Sequence, residues 1–495
     1  MRRTSLAVRT AELSLPCAFD ADDSVDPNRL GGPPVGMRWD GRCLVTVVRL
    51  DHPRPAPRVH EAGGSEALTG DDCTVNLAVL QDFRRSCPVP VEVDLVVTEH
   101  RYCGAGPLAS AYRATLGPLP IAAVRRVVAV LRIPVTDLYA RPRNEGSGSS
   151  PSGAGFALRA ATVMTRRLAA RLAAHGMRAT VCSADHLAEH TDHLVGPRLF
   201  PRDGRESFPL DVQAGPNGVS SSGVVWRTFA LRPDCSPAAL AAVAADDAVS
   251  TTTILRLTGP VSAPRLHGLF GTTEIPGVGR VLRSSAAAMD PLPKRQLAAL
   301  HSRLPGGASL AGTPELPAGS ECLRHWRFRV GDDGPIIGAD PAGRAVTLPL
   351  FSSARHPVEF AGGQWQAGLL LGRCIAAGAA ISVHTAVPAR WQHLLTRIDD
   401  PCVFALGAVV PGSRAALIEV DLFDESTPEP DAPYRFRLTR AGSGVPVEQD
   451  AAATTWARID CTSEDPSSVA VALPGAGFDV ATVAAAPERD LAAVR

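Results

Sequence analysis

The sequence predicts a mixed α+β and α/β chain, with two ferredoxin-like split-βαβ modules followed by a βαβαβ module that carries extra C-terminal strands. Two observations predict this. Apolar residues switch repeatedly between a period of two and a period of 3.6, the signatures of strands and helices. The order strand, helix, strand, strand, helix, strand also occurs twice before residue 312, the second time without sequence identity to the first.

Residues 1–34 are mixed in character, end in GGPP and are expected to be a loose lead-in to the first α+β module, 35–200. VGMRW, Asp40-Gly41 and RCLVTVVRL read as a hairpin, because Asp-Gly supplies the positive φ that a tight turn needs. A helix is expected over 73–86, an alternating strand over 89–97 and another strand over 125–133. After the polar loop NEGSGSSPSGAG (144–155), FALRAATVMTRRLAARLAAHG (156–176) reads as a helix, with Gly176 placed for a left-handed cap. MRATVCS follows as a strand and ADHLAEHTDHL as a short helix.

The second α+β module, 219–312, is read as strands 224–231, 250–259 and 278–285, helices 237–247 and 293–304, and a short strand near SLAG. A stretch rich in Pro, Gly and Ala (305–321) marks its end. The C-terminal α/β module, 322–482, opens with a β-turn-β unit and continues through HPVEFAGG, a helix over 364–379, AISVHT, PARWQHLLTRI and PCVFALGAVV. Strands separated by helices at these spacings imply parallel strands joined by right-handed crossovers. Further strands follow, and 483–495 are expected to be a frayed tail.

The 495 residues balance 50 basic against 50 acidic side chains, so no polycationic surface is available for nucleic acid, and none is expected as a partner. Lys294 is the only lysine and lies between Pro293 and Arg295, which excludes a phosphate loop of the G-x-x-x-x-G-K-[ST] type. The eleven cysteines form no C-x-x-C pair, so neither a zinc ribbon nor a disulfide framework is expected; a reducing compartment suits them. The longest apolar stretch, Gly368 to Val383, is broken by Arg373 and is too short for a spanning helix, so the chain as written is expected to be soluble.

Chemical candidates are few. His186, His190 and His193 stand at i, i+4 and i+7 on a helix, a spacing that would suit zinc, although a solvated polar face is the ordinary reading. Asp399 with Asp400, and Asp421 with Asp424, are carboxylate pairs of the kind that share Mg²⁺ with a nucleotide sugar, although turn chemistry is the ordinary reading. His384 ends a strand where a functional group could face a pocket, although a histidine hydrogen-bonded near a strand edge is the ordinary reading. No G-x-S-x-G, H-E-x-x-H or G-x-G-x-x-G occurs. No catalytic, cofactor-binding or metal residue is assigned, and no cofactor. Arg159, Arg166, Arg167 and Arg171 line the long helix as a stripe that could meet acidic partners or anionic headgroups, although a solvated face with i,i+4 pairs is the ordinary reading. Trp365 and Trp391, on helices of the third module, could anchor an interface but are explained as well by core packing.

WDGRCLVTVVRL (39–50), VDLVVTEHRYCG (93–104), AYRATLGPLPIAAVRRVVAVLRI (111–133) and ATVMTRRLAARLAAHG (161–176) resemble, in that order, the body of the EccE family of the actinobacterial type VII (ESX) secretion machinery. STTTILRLTG, IGADPAGRAVTLPLF and the segment 358–395 extend the resemblance over most of 35–410. It implies a non-catalytic assembly subunit at the cytoplasmic side of the plasma membrane. Its partners would be other core components: a channel subunit, an FtsK-like ATPase and membrane-anchored subunits. Family members usually carry two spanning helices before the WDG hairpin, and the residues preceding Trp39 contain none, so membrane association is expected through partners or through a missing upstream anchor. From a different class, a sugar-nucleotide-binding or transferase-like enzyme using the C-terminal module is the alternative.

Overall fold

In the computed structural model, placement is described for residues 9–21, 33–136, 153–195, 210–275, 288–350, 358–398, 403–406, 416–422, 434–440, 457–461 and 468–486, apart from 55, 62–63, 69–72, 103–106, 222, 245–247, 386, 474–475 and 485. The chain is a mixed α+β protein built on two large sheets.

Among the described residues the first sheet is antiparallel throughout. Cys43–Asp51, Glu92–His100 and Val124–Pro134 are long β-branched runs, and the middle of the sheet consists of them and of Ser250–Thr258, Arg265–Glu274 and Val224–Leu231. Within the first module the order is Arg178–Val181, Cys43–Asp51, Val124–Pro134, Glu92–His100. Glu92–His100 then pairs in register with Ser250–Thr258, Asp94 opposite Arg256 and His100 opposite Ser250, so the two α+β segments share one continuous sheet.

Alternation gives this sheet two buried faces. Val93, Leu95, Ala129, Leu131 and Leu255 face one core, covered by the helices Leu77–Ser86, Gly153–Ala173 and Pro237–Ala244. Val45, Val47, Val96, Val128, Val130 and Ile254 face the other, covered by Ala184–Val195 and Gln296–Arg303. Asn76 caps the first helix, its Oδ1 accepting the Val79 N–H at 3.1 Å. The 21-residue helix Gly153–Ala173 buries Ala157, Ala161, Met164, Leu168 and Leu172 at helical spacing and ends before Gly176, whose φ is +83°. The hairpin turn forms as expected, with Gly41 at φ +92° and Asp40 Oδ1 accepting the N–H groups of Arg42 and Cys43 at 2.9 and 2.6 Å.

Four expectations need correction or placement. The lead-in supplies two strands, Arg9–Leu13 paired with Leu210–Ala214 and Phe19–Ala21 paired with Val35–Trp39, because Leu13 finds a place in the core. The second module contains a strand, Arg265–Glu274, between Val224–Leu231 and Ser250–Thr258. Gly268 and Gly271 interrupt its apolar pattern, yet a Cβ at Gly268 would stand 2.5 Å from Leu231 Cδ1. The expected strand over 278–285 lies outside the described residues. Near SLAG the short strand is instead Glu315–Leu316, against Leu266 and His267.

In the second sheet the expected run of adjacent parallel strands is only partly present. Ala379–His384 does pair in parallel with Phe404–Leu406 and with Ala416–Leu422. Val358–Gly362 does not touch it. Ala416–Leu422 and Tyr434–Arg440 stand between them, and Val358–Gly362 pairs in parallel with Ala457–Asp460. The reason is that the later strands, with free backbone edges of their own, insert where a consecutive crossover would have closed the sheet. Arg58–Glu61 and Gly64–Ala67 also cross over from the first segment to extend this sheet beside Ala345–Thr347. Among the described residues, no helix is long and apolar enough to cross a membrane.

Candidate functional site

The three histidines of the sequence motif do not converge. Ala184–Val195 lies with one face on the first sheet, so His190 and His193 are buried and His186 is exposed. His186 stays near the start of its own helix, its Nδ1 3.2 Å from Ser183 Oγ. His193 instead meets His100 of Glu92–His100, ring centroids 4.1 Å apart and tilted by 58°. Among the described residues no group of three His, Cys, Asp or Glu side chains could hold a metal ion. Burial holds the imidazoles of His100 and His190 near pKa 3 and pushes that of His193 well below its ordinary range, with Arg126 adding to each shift. All three are therefore neutral at pH 7.

These histidines border a polar stretch inside the second core. Thr98, Thr252, Gly271 and Thr228 stand in one cross-strand row, and His100, Ser250 and Thr273 in the next. Arg303, at the end of Gln296–Arg303, is 2% exposed and donates from Nη2 to Thr252 Oγ1 at 3.0 Å. Its guanidinium lies over Gly271, where a Cβ would stand 2.1 Å from Cζ. Among the described residues its Nε and Nη1 find no hydrogen-bond partner, nor do Thr98 Oγ1, Thr228 Oγ1, Thr273 Oγ1 and both ring nitrogens of His100. With no carboxylate to offset it, burial alone lowers the arginine to about 10.

Two ion-pair networks mark the joins between segments. Asp94, wholly buried, accepts from Arg256 at 2.7 and 2.8 Å and from Arg132 at 3.0 Å, and Arg132 reaches on to Asp40 at 3.0 Å. The two guanidiniums hold the Asp94 carboxyl below its usual range against the opposing effect of burial. Beside this network lies a cavity of ≈ 310 Å³, lined by Arg42, Glu92, Arg256, His267, Ser309 and Thr313 among others. The second network joins the sheets. Arg125 makes a bidentate pair with Asp333, and Arg58 approaches Asp333 from the second sheet at 3.6 Å.

The remaining candidates are scattered. Asp399, Asp400 and Asp424 lie outside the described residues. Asp421 pairs through its backbone with His384, which is exposed at the end of Ala379–His384. Lys294 is exposed, with φ +63°, in the turn before Gln296–Arg303. Trp391 is a core residue at 0% exposure, and Trp365 is half-buried. On Gly153–Ala173, Arg167 and Arg171 are exposed and Arg159 and Arg166 half-buried, Arg166 donating to the Pro33 carbonyl at 3.2 Å. The tertiary pairings of Arg303 and His100 escaped sequence reasoning, since a buried unpaired guanidinium carries no local pattern.

None of the curated proteins compared with the chain matches it. A family model described as "Putative type VII ESX secretion system translocon, EccE" matches residues 121–231. That span begins just before the central strand Val124–Pro134, takes in the arginine helix and the histidine helix, and ends with Val224–Leu231. The resemblance seen in the sequence is borne out there: residues 121–231 are similar to the EccE family model.

Proposed function

We propose that the chain is a non-catalytic structural and assembly subunit of a type VII (ESX) secretion complex, acting at the cytoplasmic face of the membrane. The carrying observation is the EccE match over 121–231. The matched residues supply Val124–Pro134 and Val224–Leu231 of the first sheet and a helix on each of its faces. Its action is positional: a rigid body holds other core components in register. A channel subunit, an FtsK-like ATPase and membrane-anchored subunits are the proposed partners.

The finer architecture belongs to the same reading. The antiparallel order Arg178–Val181, Cys43–Asp51, Val124–Pro134, Glu92–His100 supports a ferredoxin-like split-βαβ unit in the first segment. We take 35–200, 219–312 and 322–482 as sequence modules that share sheets rather than as separable bodies, because Glu92–His100 pairs with Ser250–Thr258 and Arg58–Glu61 with Ala345–Thr347.

The test is purification of the tagged full chain from native membranes in mild detergent, with co-purifying proteins identified by mass spectrometry. Recovery of the channel and ATPase components is the expected result. A chain that elutes alone from membranes in which those components are intact overturns the assembly reading. Nucleotide-sugar binding that is lost on Asp421→Ala would favour the transferase alternative instead.

A further inference from the structure

The arginine helix presents an outward face that its own fold does not use. Ala157, Ala161, Met164, Leu168 and Leu172 point into the core. On the opposite side Phe156, Val163, Arg167 and Ala170 follow one another at intervals of seven, four and three, the spacing of a helix-pairing seam, with Ala160, half-buried against the core, at its edge. Phe156 is 44% and Val163 37% exposed, two of the few large apolar side chains that the described residues leave in solvent. Arg159 and Arg166 flank one edge of the seam, and Arg171 lies beside its C-terminal end. The helix contains no acidic residue. Arg159, Arg167 and Arg171 form no ion pair with any described carboxylate, although the whole chain balances 50 acidic against 50 basic residues.

Arg159, Arg167 and Arg171, with no ion pair among the described residues, call for carboxylates on the other side. The seam is too narrow for lipid insertion, since it offers only two large apolar side chains and an in-plane membrane helix buries a broad apolar face. The exposed Ala170 leaves a gap of the kind that a knob from a facing helix fills. We infer that Gly153–Ala173 docks an amphipathic helix of a partner protein, with apolar residues in its own seam and Glu or Asp at the flanking positions. The inference rests on the assembly reading for the identity of that partner, but its chemistry is set by this face alone.

Two measurements on the full chain test it. The first uses a labelled synthetic helix with Leu in the seam and Glu at both flanks, read by fluorescence anisotropy at low and physiological salt. Binding should weaken at least tenfold in the Arg159→Glu, Arg167→Glu, Arg171→Glu variant, and in Phe156→Ala with Val163→Ala. The same peptide with Lys at the flanks should prefer the charge-reversed chain. Because these side chains are at the surface, far-UV circular dichroism and melting temperature should match the parent. Equal binding of the Glu and Lys peptides, or binding indifferent to the substitutions, overturns the inference, as does stronger retention by vesicles with 30% phosphatidylserine than by the Glu peptide.

The second places a photo-crosslinking residue at Val163 in native membranes. A crosslink to an acidic amphipathic segment supports the docking, and one to lipid or to a segment without acidic flanks overturns it. If the parent co-purifies with secretion components and the charge-reversed chain does so equally, the docking fails and the assembly reading stands. If the parent itself recovers none, the assembly reading fails independently of the peptide result.

Discussion

Arg125 grips Asp333 through two parallel contacts, Nη1 to Oδ1 at 3.0 Å and Nη2 to Oδ2 at 2.9 Å, with both side chains sealed from water. The arginine sits on a central strand of the first sheet and the aspartate in the turn leading into Ile336–Ala339 of the second. Arg125 also reaches Glu99 at 2.7 Å and the Gly331 carbonyl at 2.9 Å, and Asp333 accepts the Ala122 N–H at 2.9 Å. Each guanidinium nitrogen of Arg125 and each carboxylate oxygen of Asp333 therefore has a partner, the condition under which a buried ion pair is tolerated.

Removing one member strips the other of its bidentate partner and leaves a buried charge only partly offset. Asp333→Ala and Arg125→Ala should each destabilise the fold by about 3–5 kcal/mol. The double variant should lose clearly less than the sum of the two. Urea unfolding followed by tryptophan fluorescence measures this; additive losses would mean that the two side chains act independently.

Asp332, next in the chain, behaves in the opposite way. Burial raises its carboxyl to about 6, although its Oδ1 accepts the Arg125 N–H at 2.7 Å. A folded-state pKa above the unfolded value means that the fold binds more protons between about pH 4 and 6, and that stability declines as pH rises through 6. Asp332→Asn keeps an acceptor without the charge and should stabilise the chain at pH 7.5 by about 1–2 kcal/mol. It should have little effect at pH 4, and a melting curve lowered at both values would count against this.

The buried histidines should dominate acid lability. His60 is lowered to about 4 and His100 and His190 to about 3, chiefly because burial disfavours the cation. Their folded-state values lie below the ordinary 6.5, so their contribution is complete above pH 6.5 and is lost as pH falls toward 3. The melting temperature should drop steadily below pH 6.5. His100→Phe, which keeps a ring against His193, should flatten that decline; an unchanged slope would assign the lability elsewhere.

Arg303 offers a substitution with an unusual sign. A buried guanidinium held by one hydrogen bond to Thr252 and facing no carboxylate carries a desolvation cost that a flexible apolar chain of similar length does not. Arg303→Met should raise stability by about 1 kcal/mol or more. Chemical denaturation reads this directly, and a loss comparable to the Asp333→Ala loss would show that Arg303 is offset by a charge in the folded chain.

How far the sequence discloses this structure depends on the range of the interaction. Cys43–Asp51, Val124–Pro134 and the helix Gly153–Ala173 are local events, written in β-branched runs and in the spacing of Ala157, Ala161, Met164 and Leu168. The helix expected over 73–86 begins instead at Leu77, where Asn76 caps it and Thr74–Asn76 is drawn off into a strand against Arg327–Arg329. Arg265–Glu274 was hidden by Gly268 and Gly271, glycines kept because Leu231 and Arg303 occupy the space. The pairing of Arg58–Glu61 with Ala345–Thr347 spans nearly 290 positions and leaves no periodic trace. The histidine motif was visible as a spacing, but its meaning turned on which way the helix faced. His100, 93 positions from His193, is the neighbour that no local pattern discloses.

The seam where Glu92–His100 lies against Ser250–Thr258 also bears on how the chain can be cut. A fragment ending near residue 200 would bare the backbone N–H and C=O groups of a nine-residue strand whose alternate side chains, Val93, Leu95 and Val97, are strongly apolar. Such an edge recruits strands from other molecules. Truncates of this chain should therefore form inclusion bodies rather than tidy domains, and the cell's proteases would find in a half-made copy a marker of incomplete synthesis.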